Sequence, residues 1–440
     1  MDWREEYRRK TVGPEQAVGH VKSGDRVVFP VGREPLALGM ALMARKDELR
    51  DVRVFLQSPH RDFPWYEPGW EDSFIISVGF VMPIVGQMMQ ERRCDFTVGF
   101  LDFSFGPGAQ EIDVLMMEVS PPDEHGFCSL GVSIWNKKQQ AERARLVLAE
   151  VNKNVIRTFG DNFIHVSQID YFVEHTPSGR QVQSHDLLGR GEEGETLDER
   201  MKRMAGYVNA FVRDGDTVQV GAGRFSEGLV MGGVFDGKSD LGWHSEATPR
   251  GVIPLIRQGV INGSRKTLHK GKAVATAFGG GSPEDIQYIH MNPIFELYSV
   301  EYVDSVLTIA AHDNMLAMNQ ALMVDLTGQV NAESFGPAMY SGAGGQTAFA
   351  IGAVLAKGGR NVTVLPSTAK GDKVSRIVPM LPEGSIVTVP RNAVDIVVTE
   401  WGAVQLRGKT QRQRAEELIA VAHPDFRAEL RKAARKLYWP

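Results

Sequence analysis

The chain has 440 residues, 42% apolar and 23% charged, with a formal net charge of −5. That is enough apolar mass for two or three ordinary domains and excludes global disorder. With no long basic block, nucleic acid and anionic membrane are poor candidates for the main partner. The two cysteines, Cys94 and Cys128, lack the spacing of a zinc site or redox pair and read as buried free thiols of a reducing compartment. No apolar run approaches ~20 residues, and the first residues, Met1-Asp2-Trp3-Arg4-Glu5-Glu6, are too charged for a signal peptide. A cytoplasmic protein that does not engage membranes is expected.

In chain order, Gly13 to Val21 reads as a short helix, and Ser23-Gly24-Asp25 as a turn into the apolar strand Arg26 to Val31. Gly32 to Pro35 breaks it, and Leu36 to Leu49 is amphipathic and helical. Val52 to Leu56 and Glu111 to Val119 are strand-like, Asn136 to Ala144 helical, and Leu146 to Val151 a strand; Phe74 to Met88 has no clean assignment. Between the last of the strand-like runs on either side, Ser120-Pro121-Pro122-Asp123-Glu124-His125-Gly126 reads as a structural turn rather than a metal site. A polar, glycine-rich stretch from Gln183 to Glu195 marks a linker, giving domains 1–188 and 196–440.

A second start follows: a helix from Asp198 to Arg213, then the strand Thr217 to Val220. Gly24-Asp25-Arg26-Val27 aligns with Gly215-Asp216-Thr217-Val218, Gly32 with Gly223 and Leu38 with Leu229. Either this is coincidence, since Gly-Asp turns before strands are common, or both halves follow one plan. Beyond it come a helix from Val252 to Gln258, strands at Ala273 to Phe278, within Tyr302 to Ala310, at Asn361 to Leu365 and at Val394 to Thr399. Thr410 to Gln413 is a capping box opening a helix through Val421, and Pro424 to Trp439 is a basic amphipathic helix. Strands alternating with helices predict an α/β fold with open, mostly parallel sheets, which bind ligands at their carboxyl ends.

The chemistry is expected around Val218 to Gly223 and Leu241 to Glu246. A glycine turn after a strand lets backbone N–H groups approach an anionic or polarised oxygen. Glu246 beside it is ionised at neutral pH and needs no base to become a nucleophile. The alternative is a surface glutamate in a loop. Ser341-Gly342-Ala343-Gly344-Gly345-Gln346 is a second loop with a nearly bare backbone, and Gly345 is expected at positive φ. The first glycine turn is not a dinucleotide fingerprint, because Ser226 stands where the third glycine belongs.

With Ser120 to Gly126, Gln219 to Gly223, His244-Ser245-Glu246, Val324 to Asn331, Ser341 to Gln346, Ser375 to Pro379 and Ala422 to Arg427, the chain resembles the acetyl-CoA hydrolase/transferase family, within it the 4-hydroxybutyrate CoA-transferase type. The motifs run in family order across nearly the whole chain. The resemblance implies two similar CoA-transferase domains with the active site in the cleft between them, and ping-pong transfer of CoA between carboxylic acids. Glu246 matches the glutamate that becomes a γ-glutamyl-CoA thioester. Gln219, Val220, Gly221, Ala222 and Gly223 match a turn that contacts CoA, Gly344 and Gly345 a loop donating N–H groups to the thioester oxygen, Lys370 a lysine that reaches CoA, and Asn292 an asparagine near the catalytic carboxylate. No metal and no permanently bound cofactor are implied, CoA and acyl-CoA being substrates. The implied partners are acyl-CoA, a small carboxylic acid and a second copy of the chain, as a homodimer or higher homo-oligomer.

The chain departs from the family pattern at Trp243, Ala247, Pro249, Arg250 and Ala348. Trp243, Arg250 and Ala348 are therefore expected in the acyl pocket. The lost acidic residues make that pocket more positive, which favours a dicarboxylic acid such as succinate or itaconate; against this, Arg250 can be a loop residue facing solvent and Ala348 a space-filler. An acyl-CoA hydrolase on the same scaffold is the first alternative to a transferase. A silent acyl-CoA-binding protein is a remote one.

Overall fold

Apolar runs, many rich in valine, isoleucine and leucine and closed by a glycine or proline, become the strands of two mostly parallel sheets in the computed structural model, which describes residues 2–32, 34–98, 111–175, 199–279 and 282–439. The described residues fall into two compact units. The first comprises those within Met1–Leu187, with Thr276–Phe278 and Ser282–Glu301 returning to it from later in the chain; the second comprises the rest. A single cut near residue 188 does not include those returning segments. The linker expected from Gln183 to Glu195, like Gly280 and Gly281, lies outside the described residues.

In the first unit, β1 (Arg26–Phe29) leads into α1 (Leu36–Ala44). Then come β2 (Val52–Leu56), β3 (Phe74–Val78), β4 (Cys94–Phe96), β5 (Ile112–Val119), β6 (Ala144–Val151) and β7 (Tyr171–Glu174). The sheet order is β7-β6-β5-β1-β2-β3-β4, parallel throughout. The stretch Phe74 to Met88, unassigned from sequence, divides into β3, a 3₁₀ turn at Pro83–Val85 and a short helix from Gly86. Asp123 closes its own turn: Oδ1 accepts from the N–H groups of His125 and Phe127, both at 2.9 Å, and Arg157 lies 3.3 Å from Oδ2.

The second unit opens with α2 (Glu199–Asn209), β8 (Thr217–Val220), α3 (Arg224–Met231), β9 (Gly242–Ser245) and β10 (Ala273–Ala275). It continues through α4 (Val306–Ala310), β11 (Met315–Gln320), α5 (Gln346–Leu355), β12 (Arg360–Val364), β13 (Ile396–Thr399) and β14 (Gly402–Gln405). The order β14-β13-β12-β11-β8-β9-β10 is parallel except for the final hairpin β13–β14. The two orders share a centre: β1 runs between β2 and β5, and β8 between β9 and β11. Both strands are entered by the same turn. Gly24 and Gly215 each sit at φ 81°, and the carboxylates of Asp25 and Asp216 accept from the N–H groups of Lys22 (2.8 Å) and Arg213 (2.7 Å). The sequence alignment of the two starts is thus matched by a shared local structure, and coincidence is the weaker account.

One predicted strand is corrected. Tyr302 to Ala310 holds no strand but helix, including α4, capped by Ser305, whose Oγ accepts from Thr308 N–H at 3.4 Å. Its apolar residues are sorted as on a helix: Ile309 is fully buried while Leu307 is 82% exposed. Short apolar runs do not declare their period. The strand of this region is β11, which begins at Met315. The two C-terminal helices form as expected, α6 (Gln411–Val421) with a complete capping box from Thr410 and Gln413, and α7 (Pro424–Tyr438). Leu430 and Ala434 of α7 pack with Ala415 and Leu418 of α6, so the basic helix has a packing role on one face. No described helix is long and apolar enough to cross a membrane.

Candidate active site

The sheet order of the second unit reverses between β8 and β11, and at that point an open parallel sheet offers a crevice beyond its strand ends. Gln219 of β8 and Asn319 of β11 face each other there. Gln219 Nε2 donates to Asn319 Oδ1 at 3.0 Å, and Asn319 Nδ2 to Gln219 Oε1 at 3.1 Å. This buried reciprocal pair leaves little room at Gly221, where a Cβ would stand 2.9 Å from Asn319 Oδ1. Gly223 follows at φ 103°, ψ 169°, a region open to glycine, and is the N-cap of α3. Val220 is buried and Ala222 half-buried. The glycines of the first turn are therefore required by sterics on one side and by backbone conformation on the other.

Glu246 is the first residue past β9, at the carboxyl end of the neighbouring strand. Three buried residues fix its backbone. Ser245 Oγ donates to Ala247 O at 2.7 Å, Trp243 donates its indole N–H to Thr248 Oγ1 at 3.1 Å, and His244 Nε2–H donates to Val303 O at 2.8 Å. Burial holds the His244 ring well below its ordinary pKa, with His312 and Lys266 adding to the effect, so it is a neutral donor. It ties the Glu246 strand to the segment that carries Asp304.

The second glycine loop meets Glu246 at one atom. Gly345 N–H donates to Glu246 Oε2 at 2.5 Å. Gly345 sits at φ −78°, ψ 2°, so the positive φ expected there is corrected; the left-handed residue is Gly344, at φ 53°. What demands glycine at 345 is space, since a Cβ there would overlap both Glu246 Oε2 and Asp304 Oδ2. Asp304 was absent from the sequence-derived site. Burial raises the Glu246 carboxyl above its usual range, against the Asp304 hydrogen bond and the Gly345 N–H. Burial and the neighbouring Glu246 charge raise Asp304 much further.

Other expected residues fall elsewhere. Lys370 lines a pocket of about 260 Å³ with Arg200, Phe225, Thr368 and Asp372; Arg200 pairs with Asp372 through two contacts of 2.8 and 2.7 Å. Trp243 is fully buried, and Ala348 is 2% exposed within α5. Arg250 Nε lies 3.9 Å from Glu227 Oε2. Asn292 belongs to the first unit. Its amide serves a local turn, donating to Tyr288 O at 3.0 Å and accepting from Ile294 N–H at 3.1 Å. Among the described residues, Asp304 stands beside the Glu246 carboxylate.

Residues 1–178 match the acetyl-CoA hydrolase/transferase N-terminal domain and residues 281–434 the C-terminal domain of the same name. The chain belongs to the acetyl-CoA hydrolase/transferase family. It is 40% identical to a 4-hydroxybutyrate coenzyme A transferase of Clostridium kluyveri, over 100% of both chains. It is 35% identical to a succinyl-CoA:cyclohexane-1-carboxylate CoA transferase of Geobacter metallireducens, over 99% of this chain and 97% of that one. Among solved structures, RipA from Yersinia pestis superposes with a TM-score of 0.90 at 31% identity, covering 100% of each chain.

Proposed function

We propose that this family member moves CoA between an acyl-CoA and a short-chain carboxylic acid through a γ-glutamyl-CoA thioester on Glu246. Transferases across the full chain length support the coarse activity, and the covalent step is our reading. The observation that carries it is the Gly345 N–H held 2.5 Å from Glu246 Oε2. A donor so placed stabilises the oxyanion that forms when the Glu246 carbonyl is attacked. The carboxylate first attacks the acyl-CoA carbonyl, expelling CoA thiolate and forming a mixed anhydride. The thiolate then returns to the Glu246 carbonyl and expels the acid. An acceptor carboxylate reverses the sequence. One thioester is formed for each one broken, so the exchange needs no ATP. CoA is read as lying along the Gly221–Gly223 turn, with Gly344 and Lys370 on its path and the N-terminal amides of α3 available to an anionic group. The assembly is read as a homodimer or higher homo-oligomer, and the location as cytoplasmic.

With acetyl-CoA or succinyl-CoA as donor and a panel of carboxylic acids, the expected result is new CoA esters by mass with total thioester conserved. Release of free thiol whatever acid is present would instead support the hydrolase reading.

For the acid, 4-hydroxybutyrate, acetate, succinate and itaconate are the candidates. The dicarboxylates rest on the positive charge of Arg250 and the carboxylate missing at Ala348; Glu227, 3.9 Å from Arg250 Nε, favours the reading of Arg250 as part of the protein's own charge balance. Arg250→Ala should therefore leave the ratio of kcat/KM for succinate to that for butyrate within about threefold. A fall of tenfold or more, the scale of one lost charged hydrogen bond at ~1.5–3 kcal/mol, would return Arg250 to the substrate.

A further inference from the structure

Both carboxyl oxygens of Asp304 are buried, and neither receives a hydrogen bond from a backbone N–H or cationic side chain among the described residues. Asp304 Oδ2 and Glu246 Oε2 converge on one point, the space a side chain on Gly345 would fill. Two carboxyl groups so close and so poorly hydrated cannot both be ionised, and the pair retains a proton between them. The Gly345 N–H bonds Glu246, which keeps the charge there. The proton therefore belongs to Asp304.

We propose that Asp304 works as a neutral carboxylic acid, the second hydrogen-bond donor, with Gly345 N–H, to the oxyanion formed on the Glu246 carbonyl. This rests on Glu246 as the covalent nucleophile. When CoA thiolate adds to the Glu246 acyl carbon of the mixed anhydride, the carbonyl electron pair moves onto oxygen. Asp304 O–H and Gly345 N–H hold that oxyanion. Its collapse re-forms the carbonyl, expels the substrate carboxylate and leaves the thioester. The proton stays on Asp304 throughout, so the same donor serves the return half-reaction.

The group coupled to Asp304 is Glu246. Glu246 faces it directly. Behind Val303 stand His244 and His312, ring centroids 4.5 Å apart. Both are kept neutral by burial, His312 being pushed down to about 3. Lys266 Nζ is bonded to the carbonyls of Trp243 (2.8 Å) and Lys272 (3.0 Å), and His269 Nε2 meets the Tyr302 hydroxyl at 2.7 Å. A group with a raised pKa is active while protonated and fails as pH rises through that pKa, so the native kcat should fall on the alkaline side.

D304N retains an N–H donor that cannot ionise. It should keep kcat within about tenfold of native and lose the alkaline fall, whereas D304A should lose ~10²–10³ in kcat with KM little changed. Infrared spectra at neutral pH should contain a protonated-carboxyl carbonyl band that D304N lacks; D304A serves for this comparison if D304N does not fold. An alkaline fall unchanged in D304N, a native kcat flat on the alkaline side, or identical carboxyl bands in native and variant would each overturn the proposal. Borohydride reduction after incubation with acyl-CoA, done on both proteins, separates the two levels. Label at Glu246 with an unaltered pH profile removes Asp304 alone, and no label at Glu246 removes the nucleophile reading and this proposal with it.

Discussion

Glu246→Gln should abolish turnover, with kcat/KM falling by ~10⁴ or more, the scale for removing a group without which the covalent route does not exist. The amide preserves shape and can still accept the Gly345 N–H, so CoA ester binding should survive within a few-fold. It cannot attack a thioester, because its nitrogen lone pair is delocalised and its oxygen is a poor nucleophile. The native enzyme incubated with acyl-CoA and then borohydride should carry a reduced side chain at Glu246, located by peptide mass, and lose activity in step with labelling. Labelling at another residue, or a glutamine variant within tenfold of native, would sink the glutamyl-thioester route. The raised Glu246 carboxyl adds a second expectation. Its conjugate base is the nucleophile, so the rate should fall as pH drops through that raised value, earlier than an ordinary glutamate would allow.

Gly345→Ala should cost ~10²–10³ in kcat while leaving the fold and CoA binding largely intact. The backbone at 345 is ordinary, φ −78°, so a methyl group brings no conformational strain. It does enter the space shared by Glu246 Oε2 and Asp304 Oδ2, pushing the Glu246 carboxylate off the amide and displacing Asp304. Gly345→Val should cost more, in proportion to bulk. Gly344→Ala differs in kind: φ 53° there makes the substitution a backbone penalty of ~1–2 kcal/mol, visible in thermal stability as well as rate. Kinetics and melting of the two alanine variants side by side distinguish the roles. Unchanged turnover in Gly345→Ala would show that this amide does not serve the oxyanion.

Glu246 and its two glycine loops were legible because local sequence carries the reason for them. A carboxylate after a buried strand and a run of residues without side chains announce close backbone approach, whatever lies across from them. The strand-turn pattern at Gly24-Asp25 and Gly215-Asp216 was legible for the same reason: each aspartate bonds an N–H three residues before it. Asp304 was not legible. It lies 58 positions beyond Glu246 in a segment read as a strand, between two short helices, and only the packing of that segment against His244 and α5 brings its carboxyl to Glu246. Trp243 and Ala348 neighbour the site in sequence and are buried, and Arg250 Nε lies 3.9 Å from the Glu227 carboxylate; which of them meet substrate is not written in the local sequence. Residue type and local pattern determined which atoms could react; three-dimensional packing decided which second carboxyl they share a proton with, because the desolvation and proximity that create that pair arise only when distant segments close around it.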